Sequence, residues 1–216
     1  MSVPVLAGDA QAQPRTPLDD YEGLTRARAG LESESSLRIE VNMLAYLFIA
    51  IAVAVHLRFF PLPFSFTPVA AALLYFGARM PRRQMWIPVA LLAASGVYLT
   101  RVTYGYPLTA DHFVTWAWYA AMVLLGSVLI KGFSAIRIGA ASLIASVTFF
   151  LLSNFSVWLV WRTTYPKTFN GLMACYVAGL PFFRNTVISD LLFTAAFFGI
   201  GYLASRERAT STQIAR

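Results

Sequence analysis

Charge is what this chain has least of. Only 12% of its 216 residues are Asp, Glu, Lys or Arg, while 58% are hydrophobic. A soluble domain carries roughly 25% charged residues, so these charges are too few to cover a globule in water, and the lipid bilayer must cover part of the surface. Cysteine is nearly absent as well: Cys175 stands alone, which excludes a disulfide within the chain. Catalytic signatures are missing too. There is no paired-histidine zinc motif, no Gly-x-Ser-x-Gly elbow and no phosphate loop. Nor is there the closely placed carboxylate pair of glycoside hydrolysis. The expectation is a protein that is not an enzyme, with no catalytic residues, no resident metal and no cofactor. No repeat period or low-complexity tract is visible.

The formal charge is +7. In a soluble protein that would suggest a nucleic-acid partner. Here the basic residues flank hydrophobic segments, where they report orientation and contact with anionic lipid. Trp116, Trp118 and Tyr119 imitate a base-stacking surface, but they fall in an uncharged run. No nucleic-acid partner is expected.

Long apolar runs supply the positive signal, an all-α polytopic bundle of about six transmembrane helices. Residues 1–38 are polar and carry Pro4, Pro14 and Pro17. They read as a mobile cytoplasmic tail that cannot form a core, and no secretory signal lies near Met1. The membrane domain is 39–205. Its first helix is expected over Val41–Leu57, just long enough for the roughly 30 Å hydrocarbon core. A second, of about 13 residues, begins near Phe66 and ends at Arg79, with Thr67 as N-cap and Pro68 at the first helical position. The third covers Met85–Val102. The fourth follows Asp111 as N-cap and ends near Ile130, and the fifth covers Ile138–Trp161. The stretch Phe169–Phe183 is broken by Gly171, Gly179 and Pro181, and reads as a re-entrant or interfacial element. A sixth helix then covers Thr186–Ala204, and residues 206–216 form a basic cytoplasmic tail.

Orientation follows from Lys and Arg placement. With the N-terminus inside, twelve of the seventeen basic residues fall on the inner face and five on the outer. The five are Arg58, Arg101, Arg162, Lys167 and Arg184. Both termini are therefore expected in the cytoplasm. The outer connections, 56–63, 101–107 and 161–167, hold aromatics, prolines and separated cations. Two readings are open for them: a structured vestibule, or the ordinary aromatic belt of a membrane interface.

Asp190 draws most attention. Carboxylates inside spanning segments are rare and face the protein interior. Arg184, Arg101 or Arg58 would be its partner, and a structural pair is favoured over ligand contact. The competing reading is an acid in the first helical turn, complementing the dipole. Asn154, between Ser153 and Ser156, suits either a polar ligand or interhelical hydrogen bonding. Cys175 with His56 and His112 lacks any ligand spacing, so packing is the reading for that cysteine. Small residues four apart (Ala50/Ala54, Ala117/Ala121, Ala141/Ala145, Ala195/Gly199) permit close helix contact, within the bundle or with another membrane protein.

Several runs resemble a family of small bacterial inner-membrane proteins of unknown function. They are Phe66-Thr67-Pro68-Val69-Ala70-Ala71-Ala72, Leu152-Ser153-Asn154-Phe155-Ser156-Val157-Trp158, Tyr165-Pro166-Lys167-Thr168 through Gly171-Leu172, Cys175-Tyr176, and Leu180-Pro181-Phe182-Phe183-Arg184-Asn185-Thr186 to Asp190. The likeness covers about residues 40–205 and implies a membrane bundle. A weaker architectural likeness is to the substrate-binding S components of energy-coupling-factor vitamin transporters, six-helix proteins that dock on a coupling subunit through small residues of their first helix. Ala50 and Ala54 fit that pattern. The function expected on this basis is a transport component of the bacterial inner membrane. It would bind a small molecule from the outer side, with Asn154, Tyr165, Arg184, Asn185 and Asp190 lining or bracing the site. The alternatives are an accessory or scaffold subunit of a larger membrane complex with no ligand of its own and, third, an enzyme acting on a lipid or isoprenoid.

Overall fold

The computed structural model describes residues 17–59, 62, 65–161 and 164–214. Among these there is no strand. The helices are α1 (Pro17–His56), α2 (Val69–Arg79), α3 (Trp86–Tyr98), α4 (Ala110–Leu129), α5 (Ala135–Val160) and α6 (Phe169–Ile214). A 3₁₀ turn, Arg82–Gln84, leads into α3, and a π-helical turn, Leu99–Thr103, extends it.

Two compact units divide at Arg38 and Ile39. In the first, the irregular tail expected from composition is helical from Pro17 onward. Its prolines cluster before the helix, Pro17 itself takes the first helical position where no N–H is needed, and Arg28 pairs with Glu32 one turn on at 3.1 Å. Such a pair supports an exposed helix by a few tenths of a kcal/mol, about 0.2–0.5. The C-terminal end also differs: α6 runs on to Ile214 instead of giving way to a tail.

In the second unit the short helix α2 is the centre. Its residues Val69 to Gly77 are all buried. Eleven residues rise only about 17 Å, too little to cross a bilayer alone, but protein surrounds it. Tyr46 and Phe48 of α1 meet Phe76 and Tyr75 edge to face. Phe198 of α6 does the same to Tyr75. On the α4 side two glycines let the backbones touch. A methyl on Gly77 would strike the Val123 carbonyl, and one on Gly126 the Leu74 carbonyl. This reciprocal contact is the close approach that small residues permit between membrane helices. It uses neither of the expected small-residue pairs on α4 and α6. Ala117, Ala121 and Ala195 are exposed, as is Ala50 of α1, and only Ala141 and Ala145 turn wholly inward.

Helix α5 is inverted relative to a water-soluble helix. Ser142, Ser146, Ala141 and Ala145 are buried, whereas Leu143, Ile144, Val147, Leu151 and Leu159 are exposed. Apolar side chains point outward and hydroxyls inward, which is stable only with lipid outside. Four helical stretches are long and apolar enough to cross a membrane: Arg82–Thr103, Ala110–Leu129, Ala135–Val160 and Phe169–Arg206. Two shorter apolar helices, Asn42–His56 and Val69–Arg79, complete the set. The chain is an all-α bundle of membrane type.

One expectation fails here. Phe169–Phe183 is not a separate re-entrant element, because α6 runs unbroken from Phe169 through Pro181. Proline removes one backbone donor, a loss that helices packed in a membrane bundle accommodate. Gly179 serves contact and not breakage, since any side chain there would collide with Asn154 on α5. The antiparallel α5–α6 pair is stitched along its length. Cys175 donates to the Asn154 carbonyl (3.4 Å), Ser146 to Asp190 (2.7 Å) and Thr194 to Ser142 (3.4 Å), and near the end of α5 Trp158 donates to the Pro166 carbonyl of the connection (2.9 Å).

Candidate functional site

The continuity of α6 moves its one buried carboxylate. Asp190 is not in a first turn, so the helix-dipole reading fails. It lies near the middle of the apolar stretch Phe169–Arg206, whose 38 residues rise about 57 Å. Ser189 beside it holds the start of α2 in place: its hydroxyl donates to the Thr67 carbonyl (2.9 Å) and accepts from the Thr67 N–H (3.2 Å). Pro68 occupies the N-cap position and Val69 opens the helix, one residue later than the spacing suggested. Thus α2 begins at the level where α6 is halfway along.

That offset leaves space beside α2's first turn. A cavity of about 250 Å³ is lined by His56, Arg58, Ser65, Thr67, Val69, Ala70, Trp118, Tyr119, Phe149, Thr186 and Asp190. A neighbouring cavity of about 320 Å³ shares His56, Arg58, Thr67 and Tyr119 with it, and adds Thr100, Tyr104, Asp111, His112, Thr115 and Trp116. Helix ends from α1, α3 and α4 therefore meet the middle of α5 and α6 around two adjoining spaces.

The backbone at Arg58 is unusual. The Phe59 N–H bonds to the Ala54 carbonyl (3.1 Å) and the Arg58 N–H to the Val55 carbonyl (3.0 Å). This is a Schellman termination of α1, with Arg58 at the left-handed position that glycine normally takes. Its φ is 65°, and Ser65 has φ 59°. Both line the smaller cavity, and they are the positive-φ residues other than glycine among those described. A side chain held there costs of order 1–3 kcal/mol. Strain of this kind collects at functional positions.

At the larger cavity, α4 starts at Ala110 with Thr109 as N-cap. Asp111 is therefore inside the first turn and is not the cap. The Thr109 backbone already adopts the extended geometry a cap requires, which frees the Asp111 side chain. Its Oδ1 is buried without a hydrogen bond and lies 3.6 Å from His112 Nδ1. His112 is fixed between Thr100 Oγ1 (3.0 Å from Nε2) and the Thr109 N–H (3.3 Å from Nδ1).

Of the five residues expected to form a site, Asp190 lines a cavity. It is 3% exposed and accepts a hydrogen bond from Ser146. Among the described residues no arginine pairs with it; Arg101 and Arg184 are exposed, while Arg58 shares its cavity. The structure does not bring the other four to either wall. Asn154 donates to the Phe150 carbonyl (2.8 Å) and packs on Cys175 and Gly179, so it joins α5 to α6. Tyr165 is half-buried in the 161–168 connection, and Asn185 is half-buried on α6. Cys175 is buried in that same seam, apart from the cavity residues His56 and His112. No cluster of three His, Cys, Asp or Glu suited to a metal ion occurs among the described residues.

Trp118, Tyr119, Phe149 and Thr186 line the smaller cavity too, and were not among the residues the sequence pointed to. The available signals were a short second helix and the adjacent pair Asp111-His112, at the start of a span.

The chain belongs to a family of unknown function, DUF6580, which matches residues 38–212. No curated protein and no solved structure matches it.

Proposed function

With no activity to inherit from that family, we propose that this protein is a solute-binding component of a bacterial inner-membrane transport process. It takes up a small molecule through the paired cavities at the ends of α1, α3 and α4. The observation that carries this reading is an intramembrane carboxylate, Asp190, on the wall of a cavity that also holds Arg58 and three aromatic rings. Ionisable groups at such depth mark ligand and ion paths, and a few polar groups converging on an apolar pocket are what small-molecule sites have in common. The excess of Lys and Arg at the opposite end of the bundle supports an outward position for the cavities, with both termini in the cytoplasm. No catalytic step is assigned.

The strained Arg58 supplies a test that separates binding from folding. Arg58→Gly keeps the Schellman turn and relieves the left-handed strain. Measured against the variant's own melting temperature, thermal stabilisation by a panel of small metabolites is expected to be lost. Wild-type protein that gains no stability from any compound in a broad panel contradicts the reading.

A second reading, an accessory subunit, is favoured by the exposed apolar face of α1 that carries Met43, Tyr46, Leu47 and Ala50. In the solute-binding reading that same face docks a coupling subunit, as in the S components. The accessory reading predicts a stable co-purifying protein whose retention is unchanged in Arg58→Gly.

A further inference from the structure

Asp190 lies in the membrane interior with a hydroxyl for a partner and no ion pair. It is 3% exposed on a spanning helix. A lone carboxylate in such a place is strongly disfavoured, and a proton is the simplest thing that neutralises it. The charged and titratable groups that face it are few. His56 and Arg58 at the end of α1 and Tyr119 on α4 line the same cavity. Helix α2 contributes Val69 and Ala70 there, and α5 contributes Phe149, none of which ionises. Arg58 is exposed and has interactions of its own.

The hydroxyl beside Asp190 suits both charge states. Ser146 Oγ lies 2.7 Å from Asp190 Oδ2 and 3.1 Å from the Ser142 carbonyl. A hydroxyl has one proton to give and two lone pairs to receive with. Next to a carboxylate, Ser146 donates to Oδ2. Next to the acid, it accepts from Oδ2–H and turns its own proton to the Ser142 carbonyl. Both states keep the Ser146–Asp190 hydrogen bond, so gaining or losing the proton avoids the penalty of an unmade bond. A metal ion fits less well, because it needs a cage of oxygens. Around Asp190 the Ser146 hydroxyl is committed in this way, and that of Thr186 bonds to the Phe182 carbonyl (3.0 Å).

The cavity supplies a route. Its volume of about 250 Å³ has room for several waters. Loading moves one proton from hydronium in that space onto the carboxylate and leaves water, and release is the reverse. We infer that Asp190 is a reversible proton-binding site, reached through the smaller cavity, with Ser146 as the positioning residue that accommodates both of its charge states. Under the solute-binding reading the proton becomes the coupling ion, but the site does not depend on that reading.

The experiment is infrared difference spectroscopy of the full-length protein in nanodiscs, with isotope-labelled aspartate to mark Asp carboxyls. No solute is added. The pH is stepped from about 6 to about 10, a range in which a solvated aspartate stays ionised. Wild type is expected to show the carbonyl band of a protonated aspartic acid at the lower end. That band should disappear as a single group on raising the pH and shift within minutes in deuterium oxide. It should be absent from Asp190→Asn, retained in Asp111→Asn and displaced in Ser146→Ala. The remaining aspartates, Asp9, Asp19 and Asp20, precede the membrane domain, so label and Asp111→Asn assign the band even if Asp190→Asn does not fold. A wild type without the band overturns the inference, because Asp190 is then ionised throughout. A band that fails to titrate or to exchange also overturns it, because the proton is then sealed in as a structural element. Either failure leaves the solute-binding reading standing, and a metabolite panel without a hit leaves the proton site standing.

Discussion

The α5–α6 interface has two polar stretches, and they differ in what lies beside them. Near residues 150–160 and 169–183, Asn154, Cys175 and Gly179 interlock, and Tyr176 donates to the Leu151 carbonyl (3.0 Å). Neither cavity reaches this stretch. Near residues 142–149 and 186–194, Ser142, Ser146, Asp190 and Thr194 make a similar ladder, but its edge is a cavity wall. Polar side chains in the same pair of helices therefore close one stretch and open the other. A polar side chain at membrane depth indicates a site when space adjoins it, and otherwise indicates a clasp between helices.

The largest effect expected from breaking this contrast is in the closed stretch. Gly179→Leu drives a side chain into Asn154 and should cost about 1–3 kcal/mol, as overpacking does. Unfolding in detergent or by steric trapping measures it, and ligand affinity of the surviving folded protein should be unchanged. In the open stretch Asp190→Asn should do the opposite. It keeps the shape and an acceptor for Ser146 but removes the ionisable group, so stability should hold or rise, while binding falls at least tenfold, about 1.4 kcal/mol. A matching loss of stability would make Asp190 a structural residue. Smallest is Asn154→Ala, which removes interhelical contacts worth about 0.6 kcal/mol on average in a membrane bundle. Binding isotherms of this variant should overlay the wild type.

Hydrophobic runs and their flanking residues carried much of the architecture. The third, fourth and fifth helices have ends within a few residues of where Met85, Asp111 and Trp161 suggested, because charges and prolines flank those apolar runs. The misreadings share one cause. Gly171, Gly179 and Pro181 look like breakers of α6, yet whether glycine breaks a helix or admits a neighbour depends on what packs against it. That neighbour is Asn154 at position 179, and it is remote in sequence. The Gly77–Gly126 contact was hidden for the same reason, as its partners come from two helices. Asp190 was legible as unusual, since carboxylates are rare in such runs, but its depth depended on where α6 begins. Trp118, Tyr119 and Phe149 look like any membrane aromatics until α2 proves too short to fill the space beside them.

Whether water reaches the smaller cavity from one side of the membrane decides if it is an outer site at all. In a Cys175→Ala background, Thr186→Cys places a thiol on the wall of that cavity, and Arg82→Cys places one in the α2–α3 turn at the other end. A membrane-impermeant maleimide added outside intact cells should label the first and spare the second until the membrane is permeabilised. Labelling of Arg82→Cys from outside, or of Thr186→Cys only after permeabilisation, would contradict an outward-facing site.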